Sequence, residues 1–80
     1  MTTFEKLRAI VLEQMQDRTM PVKIDSRLKE DLAFTSLQLI RLITAVELAF
    51  DISLQTEDFK ESNFISLLTV TKMLEENYAV

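Results

Sequence analysis

Apolar residues recur at helical spacing in three stretches of the chain, and the first stretch lies near residue 1. The run Thr2-Thr3-Phe4-Glu5 is typical of a capping box, so a helix is predicted over about residues 3–16. The apolar positions of this helix fall on one face: Phe4, Leu7, Ile10, Val11 and Met15. We expect this face to pack against a core.

The second stretch is the most apolar and predicts a central helix from Leu37 to Phe50. Its inward positions follow the helical period and are Leu39, Leu42, Ile43, Val46 and Phe50. Leu37 and Ile40 lie off this inward face, and exposed apolar side chains at those positions indicate a contact surface.

The third stretch follows Ser66, which can cap a last helix of about residues 66–77. Before it, residues 56–59 are typical of a cap and one short helical turn. Because the chain has no glycine, helix C-caps must use other residues, and Asn77 is a candidate. These elements predict an all-α fold, a four-helix bundle with three principal helices and one short helix.

A long loop is predicted over residues 17–35, which carry mixed charges and the only proline, Pro21. We expect the scattered apolar residues Ile24, Leu28 and Leu32 to pin this loop to the core. A long loop in so small a domain usually has a functional reason.

Length and composition favour one small globular domain over residues 1–80. Cysteine and histidine are absent, which excludes disulfides, thiol nucleophiles, the usual zinc sites and histidine general bases. We therefore expect no catalytic residues and no metal site. No apolar run reaches the ~20 residues of a membrane span, and no signal-peptide pattern is visible, so we expect a cytoplasmic protein.

The net charge of −4 comes entirely from residues 51–80, where six acidic side chains outnumber two basic ones. These residues are Asp51, Glu57, Asp58, Glu61, Glu75 and Glu76, with Lys60 and Lys72. Phosphate binding needs a basic face, and the sequence pattern contains none. We therefore do not expect nucleic acid as a partner.

Ser36 places a hydroxyl at the predicted start of the central helix. As an N-cap, its oxygen would accept a hydrogen bond from a backbone N–H of the first turn. The hydroxyl also lies near solvent and near the positive helix end, where it could carry a phosphodiester. From the residue pattern alone, both interpretations stay open.

The chain around Ser36 resembles the prosthetic-group attachment motif of acyl and peptidyl carrier proteins, E-D-L-G-x-D-S-L. The matching run is Glu30-Asp31-Leu32-Ala33-Phe34-Thr35-Ser36-Leu37. Further similarity to the family is found at two later runs, Phe50-Asp51-Ile52-Ser53-Leu54 and Phe64-Ile65-Ser66-Leu67. The resemblance therefore spans nearly the whole chain, in the family's usual order and spacing.

The resemblance implies a carrier-type four-helix bundle and a protein that carries cargo without catalysing reactions. A phosphopantetheinyl transferase would attach 4′-phosphopantetheine from coenzyme A to Ser36, making the chain a phosphoprotein. Acyl or aminoacyl groups would be held as thioesters on the terminal thiol of this arm. The implied partners are the transferase and the enzymes that load and condense the cargo, and we expect the carrier to be a monomer.

Seven residues near Ser36 are candidates for partner recognition: Asp31, Thr35, Leu37, Ile40, Arg41, Thr44 and Glu47. For Asp31, the alternatives are a solvated or loop-fixing carboxylate and a contact for the transferase. For the polar helix positions, which include Gln38, the alternative is ordinary solvated helix surface.

Three departures from the family pattern bear on the pathway. Thr35 replaces the usual aspartate, and Ala33 replaces the usual glycine, which is harmless if its φ is negative. The polar helix face is nearly neutral, whereas carriers of fatty-acid type are usually acidic there. The predicted function is therefore a freestanding carrier in polyketide or nonribosomal peptide biosynthesis. The alternatives are a fatty-acid-synthesis acyl carrier protein and an unmodified carrier-fold adaptor.

Overall fold

The computed structural model describes residues 2–15, 19–78 and 80 of the chain. Its elements are α1 (Thr3–Gln14), α2 (Ser36–Phe50), two 3₁₀ turns (Thr56–Asp58 and Glu61–Phe64) and α3 (Leu67–Tyr78). No β-strand occurs in these described ranges. The predicted all-α fold with three principal helices is confirmed. None of the described helices has the length and apolar character that crossing a membrane requires.

Helix α1 begins at the predicted capping box. Glu5 N donates to Thr2 Oγ1 at 3.1 Å, and Thr2 N donates to Glu5 Oε1 at 3.2 Å. The helix ends at Gln14, before the predicted boundary, because the backbone of Met15 is extended with φ −85° and ψ 136°. Residue 16, where the helix was predicted to end, lies outside the described residues.

Helix α2 ends without a glycine. Asp51 takes the left-handed conformation that glycine usually supplies after a helix, with φ 54° and ψ 52°. Ile52 N then donates to Glu47 O at 3.0 Å, which satisfies one of the last carbonyl groups of the helix. A short aspartate side chain tolerates this backbone better than most other side chains do.

Ser66 caps α3 as predicted. Thr69 N donates to Ser66 Oγ at 3.3 Å, and Ser66 N donates to Thr69 Oγ1 at 3.0 Å. The prediction that Asn77 is a C-cap is wrong, because Asn77 lies inside α3, which continues to Tyr78. The amide of Asn77 instead donates to the buried Asp58 carboxylate at 2.9 Å, so a tertiary contact uses this side chain.

The short helical turn predicted over residues 56–59 is present as the first 3₁₀ turn. Its predicted side-chain cap is absent, because Gln55 occupies the N-cap position and makes no side-chain capping bond. The second 3₁₀ turn, Glu61–Phe64, was not predicted from the sequence. The link between α2 and α3 is therefore more ordered than its sequence pattern indicated.

The core gathers side chains from the three helices and from the long loop. Its buried apolar residues are Leu7, Ile10, Val11, Met15, Val22, Leu28, Leu32, Phe34, Leu42, Val46, Leu54, Leu67, Val70, Met73 and Leu74. Leu39, Ile43 and Phe50 pack against them and are partly buried. The predicted inward face of α2 is therefore confirmed.

The long loop is tied to the entry of α3 by backbone hydrogen bonds. Leu28 N donates to Ile65 O at 2.8 Å, and Leu67 N donates to Ser26 O at 3.1 Å. These bonds flank an isolated antiparallel bridge between Arg27 and Ser66. The loop that precedes Ser36 is thus held to the last helix as well as to the core.

Ile24 does not pin the loop to the core as predicted, because its side chain is 37% exposed. Ser26 N donates to Lys23 O at 3.0 Å, and Lys23 N donates to Ser26 Oγ at 2.8 Å. These bonds close a tight turn that carries Ile24 at its tip. Leu28 and Leu32 are buried as predicted.

Candidate functional site

Thr35, rather than Ser36, is the N-cap of α2. Gln38 N donates to Thr35 Oγ1 at 3.2 Å and Thr35 N donates to Gln38 Oε1 at 2.9 Å, which forms a reciprocal capping box. The N-cap interpretation of Ser36 is wrong, because Thr35 has the extended cap backbone and Ser36 is the first helical residue. The spacing of Thr35 and Gln38 is a capping-box pattern, which could have identified the cap from the sequence.

The Ser36 side chain is exposed and has no capping role. Its Oγ makes no hydrogen bond with another of the described residues. The first turn of α2 contains no acidic side chain, so no carboxylate of this turn neutralises the positive potential of the helix end. The site therefore fits a phosphodiester, since the hydroxyl is accessible and the helix end favours an anion.

Gln38 also holds the start of α2 against α1. Its Nε2 donates to Gln14 O at 3.2 Å, and this carbonyl belongs to the last turn of α1, where backbone acceptors lack helical partners. One glutamine side chain therefore closes the cap and joins the two helices. The position of Ser36 is consequently fixed by its immediate neighbours.

Asp31 fixes the loop before Ser36. Its Oδ2 accepts from Arg27 N at 2.8 Å, and the Arg27 guanidinium approaches both carboxylate oxygens at 3.4 Å. The backbone N–H of Arg27, followed by its side chain, lowers the pKa of Asp31 below its ordinary value. Arg27 also forms an ion pair with Glu30. The loop-fixing role of Asp31 is visible in this geometry, and its role in transferase recognition stays a prediction.

Ala33 has a left-handed backbone with φ 57°, so the harmless case of a negative φ does not apply. A non-glycine residue in this region costs roughly 1–2 kcal/mol. The conformation is held by the buried side chains of Leu32 and Phe34 on either side and by the 2.9 Å hydrogen bond from Phe34 N to Leu28 O. A strained residue therefore lies three positions before Ser36.

The outward face of α2 carries apolar side chains beside Ser36. Leu37 is 56% exposed and Ile40 is 60% exposed, while Arg41 and Thr44 are exposed polar neighbours. Leu48, which was not among the predicted residues, is 79% exposed. Its spacing of four from Thr44 and eight from Ile40 places it on the same face and could have identified it.

Glu47 differs from the other predicted recognition residues because it is half-buried. Its Oε2 accepts from Leu54 N at 2.9 Å, which ties the segment after α2 back to the helix. Thr44 also makes an internal bond, since its Oγ1 donates to Ile40 O at 3.2 Å. Arg41 is thus the charged side chain of this region that points to solvent without an ion-pair partner among the described residues.

A cavity of about 360 Å³ lies between the long loop, α2 and the 3₁₀ turns. Its apolar lining comprises Leu39, Ile43, Phe59, Phe64 and Ile65. Its charged lining comprises Arg27, Lys29, Glu30, Lys60 and Glu61. Ser36 does not line this cavity.

Comparison with known families and proteins gives a consistent result. The family model described as "Phosphopantetheine attachment site" matches residues 5–69. An acyl carrier protein of Campylobacter hominis is 36% identical over 75 residues, which cover 94% of this chain and 92% of that protein. An acyl carrier protein of Helicobacter hepaticus is 40% identical over 58 residues, which cover 72% of this chain and 76% of that protein.

Solved structures share the fold at low sequence identity. A chain in the crystal structure of Bradyrhizobium japonicum glycine:[carrier protein] ligase complexed with glycylated carrier protein matches with a TM-score of 0.81 and 22% identity, covering 89% of this chain and 96% of that chain. MacpD, an acyl carrier protein from Pseudomonas fluorescens involved in mupirocin biosynthesis, matches with a TM-score of 0.77 and 18% identity. The match covers 94% of this chain and 69% of the MacpD chain.

Proposed function

Because this chain belongs to the phosphopantetheine-binding carrier protein family, we propose that Ser36 is the residue to which its 4′-phosphopantetheine group is attached. The observation that carries the proposal is the separation of two hydroxyls at the start of α2. Thr35 caps the helix, while the Ser36 hydroxyl is exposed and has no hydrogen-bond partner among the described residues. The serine can therefore be esterified without uncapping the helix.

The residues around Ser36 hold the attachment point in place. Gln38 bonds to both Thr35 and Gln14, so the hydroxyl projects from a fixed helix start. The helix end favours the negative charge of a phosphodiester. In the transfer, the Ser36 Oγ would form a P–O bond to the pantetheine-side phosphate of coenzyme A, a P–O bond of the pyrophosphate would break and adenosine 3′,5′-bisphosphate would leave, while the serine proton passes to a base of the transferase. When attached, the group supplies the thiol on which acyl or aminoacyl cargo is held as a thioester.

Intact-mass measurement tests this attachment. The purified protein is incubated with coenzyme A, magnesium and a broad-specificity phosphopantetheinyl transferase. We expect a gain of one phosphopantetheine, which is lost in Ser36→Ala and retained in Ser53→Ala, a matched change of an exposed serine beyond α2. An unchanged wild-type mass with several transferases would overturn the proposal and favour the unmodified adaptor.

The proposed pathway is polyketide or nonribosomal peptide biosynthesis. Support comes from the outward face of α2, whose exposed charge is Arg41 and whose Glu47 is bonded to Leu54 N. The carriers named in the two structural matches, one glycylated and one from mupirocin biosynthesis, illustrate such cargo classes on this fold. Fatty-acid synthesis is the second candidate, favoured by the relatives named acyl carrier protein.

Competitive loading of the phosphopantetheinylated protein distinguishes these pathways. The protein is offered to a glycine:[carrier protein] ligase, a malonyl transferase of polyketide type and a long-chain fatty-acyl synthetase, and the mass is followed with time. Faster loading by either of the first two enzymes than by the synthetase supports the specialised pathway. Preferential loading with the fatty-acyl chain would assign the carrier to fatty-acid synthesis.

The cavity beside α2 offers a second readout of the cargo. A long acyl chain that enters it would shift the methyl resonances of Leu39 and Ile43, which line the cavity. A glycyl group is too short to fill a volume of about 360 Å³. Small shifts confined to the residues around Ser36 would accompany the proposed aminoacyl or short acyl cargo.

We further propose that the protein is a monomeric, freestanding and non-catalytic carrier that acts in the cytoplasm. Acyl carrier proteins are generally non-catalytic, and this chain lacks the cysteine and histidine that many enzymes use. Its enzyme partners would contact the residues around Ser36, namely Asp31, Thr35, Leu37, Ile40, Arg41, Thr44 and Glu47. Analytical ultracentrifugation of the native protein tests the monomeric state.

A further inference from the structure

The side chain of Gln38 reaches from α2 to α1, two residues after Ser36. Its Oε1 accepts from Thr35 N at 2.9 Å, and its Nε2 donates to Gln14 O at 3.2 Å. We call this pair of bonds the Gln38 bridge. The side chain is half-buried, and its carboxamide supplies the acceptor and the donor that the two bonds need.

The ends of α1 and α2 that meet near Ser36 are separated by a cavity of about 370 Å³. Glu13 lines it from α1, and Leu37 and Arg41 line it from α2. Glu13 and Arg41 form no ion pair with each other, or with another described residue, across this space. Electrostatic pairing therefore does not join the two helix ends.

The Gln38 bridge is the hydrogen-bonded link between α1 and α2 in the part of the chain that the structure describes. At the opposite ends of the two helices, the Lys6 ammonium lies 4.6 Å from the centre of the Phe50 ring. Packing in the core begins at Leu42, which lies six positions after Ser36 and is the first buried residue of α2. At 1.5 Å per residue, this is about 9 Å further along the helix.

The chain just before the helix has its own anchor. The Phe34 side chain is buried in the core, and Phe34 N donates to Leu28 O at 2.9 Å. One anchor fixes the place at which the helix starts but leaves the orientation of its first turn open. The bond from Gln38 to α1 is a second point of attachment, so the two together fix the direction of the Ser36 side chain.

We propose that Gln38 is a positioning residue for the modification of Ser36. This inference rests on the proposed attachment at Ser36. Gln38 takes no part in the bonds that form and break; its bridge fixes the direction in which the Ser36 Oγ is presented to the phosphate of coenzyme A. Because a shift of about 1 Å in a reacting atom can slow a reaction by as much as ~100-fold, losing the bridge should slow the transfer step more than it weakens docking.

Two variants of Gln38 remove the bridge in different ways. Gln38→Glu keeps the acceptor for Thr35 N and places a favourable acid in the first turn, but a carboxylate cannot donate to Gln14 O. Gln38→Met keeps the length and helix propensity of the side chain and makes neither bond. Gln55→Glu is the matched control, since Gln55 is exposed and its side chain makes no capping bond.

Single-turnover kinetics separate transfer from docking. The broad-specificity transferase is used in excess over the carrier, at high salt so that the added charge of Gln38→Glu is screened. We expect the transfer rate constant to fall about tenfold in both Gln38 variants, with a half-saturating transferase concentration within about threefold of the wild type. Gln55→Glu should match the wild type, and the urea midpoint of Gln38→Glu should stay close to the wild-type value.

An NMR titration without the transferase tests the bridge itself. When protonated, the new carboxyl of Gln38→Glu has both a donor and an acceptor, so it can form both bonds again. Its Ser36 amide resonance should therefore return toward the wild-type position as the pH falls through about 4.3, the ordinary pKa of glutamate. The wild type, recorded over the same range, accounts for Glu13 and the other carboxylates, and Gln38→Met should show no such return.

The possible results affect different parts of this inference. Transfer at the wild-type rate in both Gln38 variants would overturn the positioning role and leave the attachment site intact. A slower transfer in Gln38→Glu alone would indicate an effect of charge, and a change confined to the half-saturating concentration would indicate a docking contact; either result would overturn the positioning role. A wild-type protein that gains no phosphopantetheine would overturn the proposed function, and this inference with it.

Discussion

Thr35 and Gln38 exchange two hydrogen bonds, at 3.2 Å and 2.9 Å, that close the first turn of α2 around Ser36. The hydroxyl that caps the helix therefore belongs to Thr35, whereas the hydroxyl proposed for attachment belongs to Ser36. A phosphodiester on the capping oxygen itself would compete with the bond from Gln38 N. Placing the two functions on adjacent residues avoids that competition.

Thr35→Ala is expected to lower the free energy of unfolding by about 1 kcal/mol, because α2 loses its N-cap. Ser36→Ala is expected to change it by less than about 0.5 kcal/mol, since the serine is exposed and does not cap the helix. Urea unfolding followed by circular dichroism measures both values. A loss in Ser36→Ala as large as that in Thr35→Ala would mean that the serine supports the helix start.

Thr35→Asp tests the missing aspartate of the family motif. Aspartate caps a helix as well as threonine does, so stability should stay within about 0.5 kcal/mol of the wild type. The added negative charge beside Ser36 should raise kcat/KM with a transferase of fatty-acid type that presents a basic surface. Thr35→Asn is the matched control, since asparagine caps without charge; an equal gain in Thr35→Asn would exclude an electrostatic cause.

Ala33→Gly is expected to raise the free energy of unfolding by roughly 0.5–1 kcal/mol, because glycine adopts the left-handed φ of 57° without the steric cost that alanine bears there. Ala9→Gly is the matched control. It lies exposed inside α1, where the same substitution should lower stability by roughly 0.5–1 kcal/mol. The same sign of change at both positions, measured by urea unfolding, would contradict the strained conformation.

The periodic parts of the chain could be predicted from the sequence, because burial of one helix face repeats at a fixed spacing. Leu42 and Val46 are buried for this reason, and Leu37 and Ile40 are exposed on the opposite side. Periodicity does not report backbone dihedral angles, so the left-handed φ of Ala33 could not be predicted from periodicity.

The remaining differences between the predicted and the observed structure have two causes. Neighbouring residues compete for one cap position, and some side chains have partners that no local sequence pattern indicates. Thr35 and Ser36 are both good cap residues, and only the position of Gln38 decides between them. Asn77 has a partner 19 residues earlier in the chain, Asp58, which no local pattern indicates. Ile24 is apolar but lies at the tip of a turn, where the backbone bonds of Lys23 and Ser26 decide its exposure.

The acid stability of the protein should depend on Asp31. Hydrogen bonds from Arg27 hold the pKa of this carboxyl below its ordinary value of 3.8, so the unfolded chain takes up the proton at higher pH than the folded protein does. The contribution of Asp31 to stability is therefore present above pH 3.8 and is lost as the pH falls through the lower pKa of the folded protein. We expect Asp31→Asn to show a flatter decline of stability below about pH 4 than the wild type.

The control for this prediction is Arg27→Gln, which removes the guanidinium but keeps the backbone N–H. Because the backbone bond is the larger cause of the lowered pKa of Asp31, Arg27→Gln should retain most of the wild-type acid dependence. Urea midpoints measured between pH 2 and pH 6 give the slopes. If Asp31→Asn and the wild type lose stability with falling pH at the same rate, the assignment of this pH dependence to Asp31 is contradicted.

Tyr78 closes a polar cluster that joins the end of α3 to the first 3₁₀ turn. Its hydroxyl donates to Asp58, which is only 8% exposed, and accepts from Gln55 N at 2.8 Å. Tyr78→Phe is expected to lower the free energy of unfolding by about 1–2 kcal/mol, because the carboxylate loses a donor and the amide loses its acceptor. Lys72→Ala, an exposed change on the same helix, should have little effect.

Alkaline unfolding and hydrogen exchange distinguish the loss of these hydrogen bonds in Tyr78→Phe from a general loss of packing. Burial, followed by the hydrogen bond to Asp58, raises the pKa of Tyr78 above its ordinary value of 10.0. The contribution of Tyr78 to the free energy of unfolding is therefore present below pH 10.0 and is lost as the pH rises through the pKa of the folded protein. Tyr78→Phe should therefore lose less stability above about pH 10 than the wild type does. It should also speed exchange of the Gln55 amide at neutral pH, whereas unchanged exchange there would show that the tyrosine hydroxyl is not its acceptor.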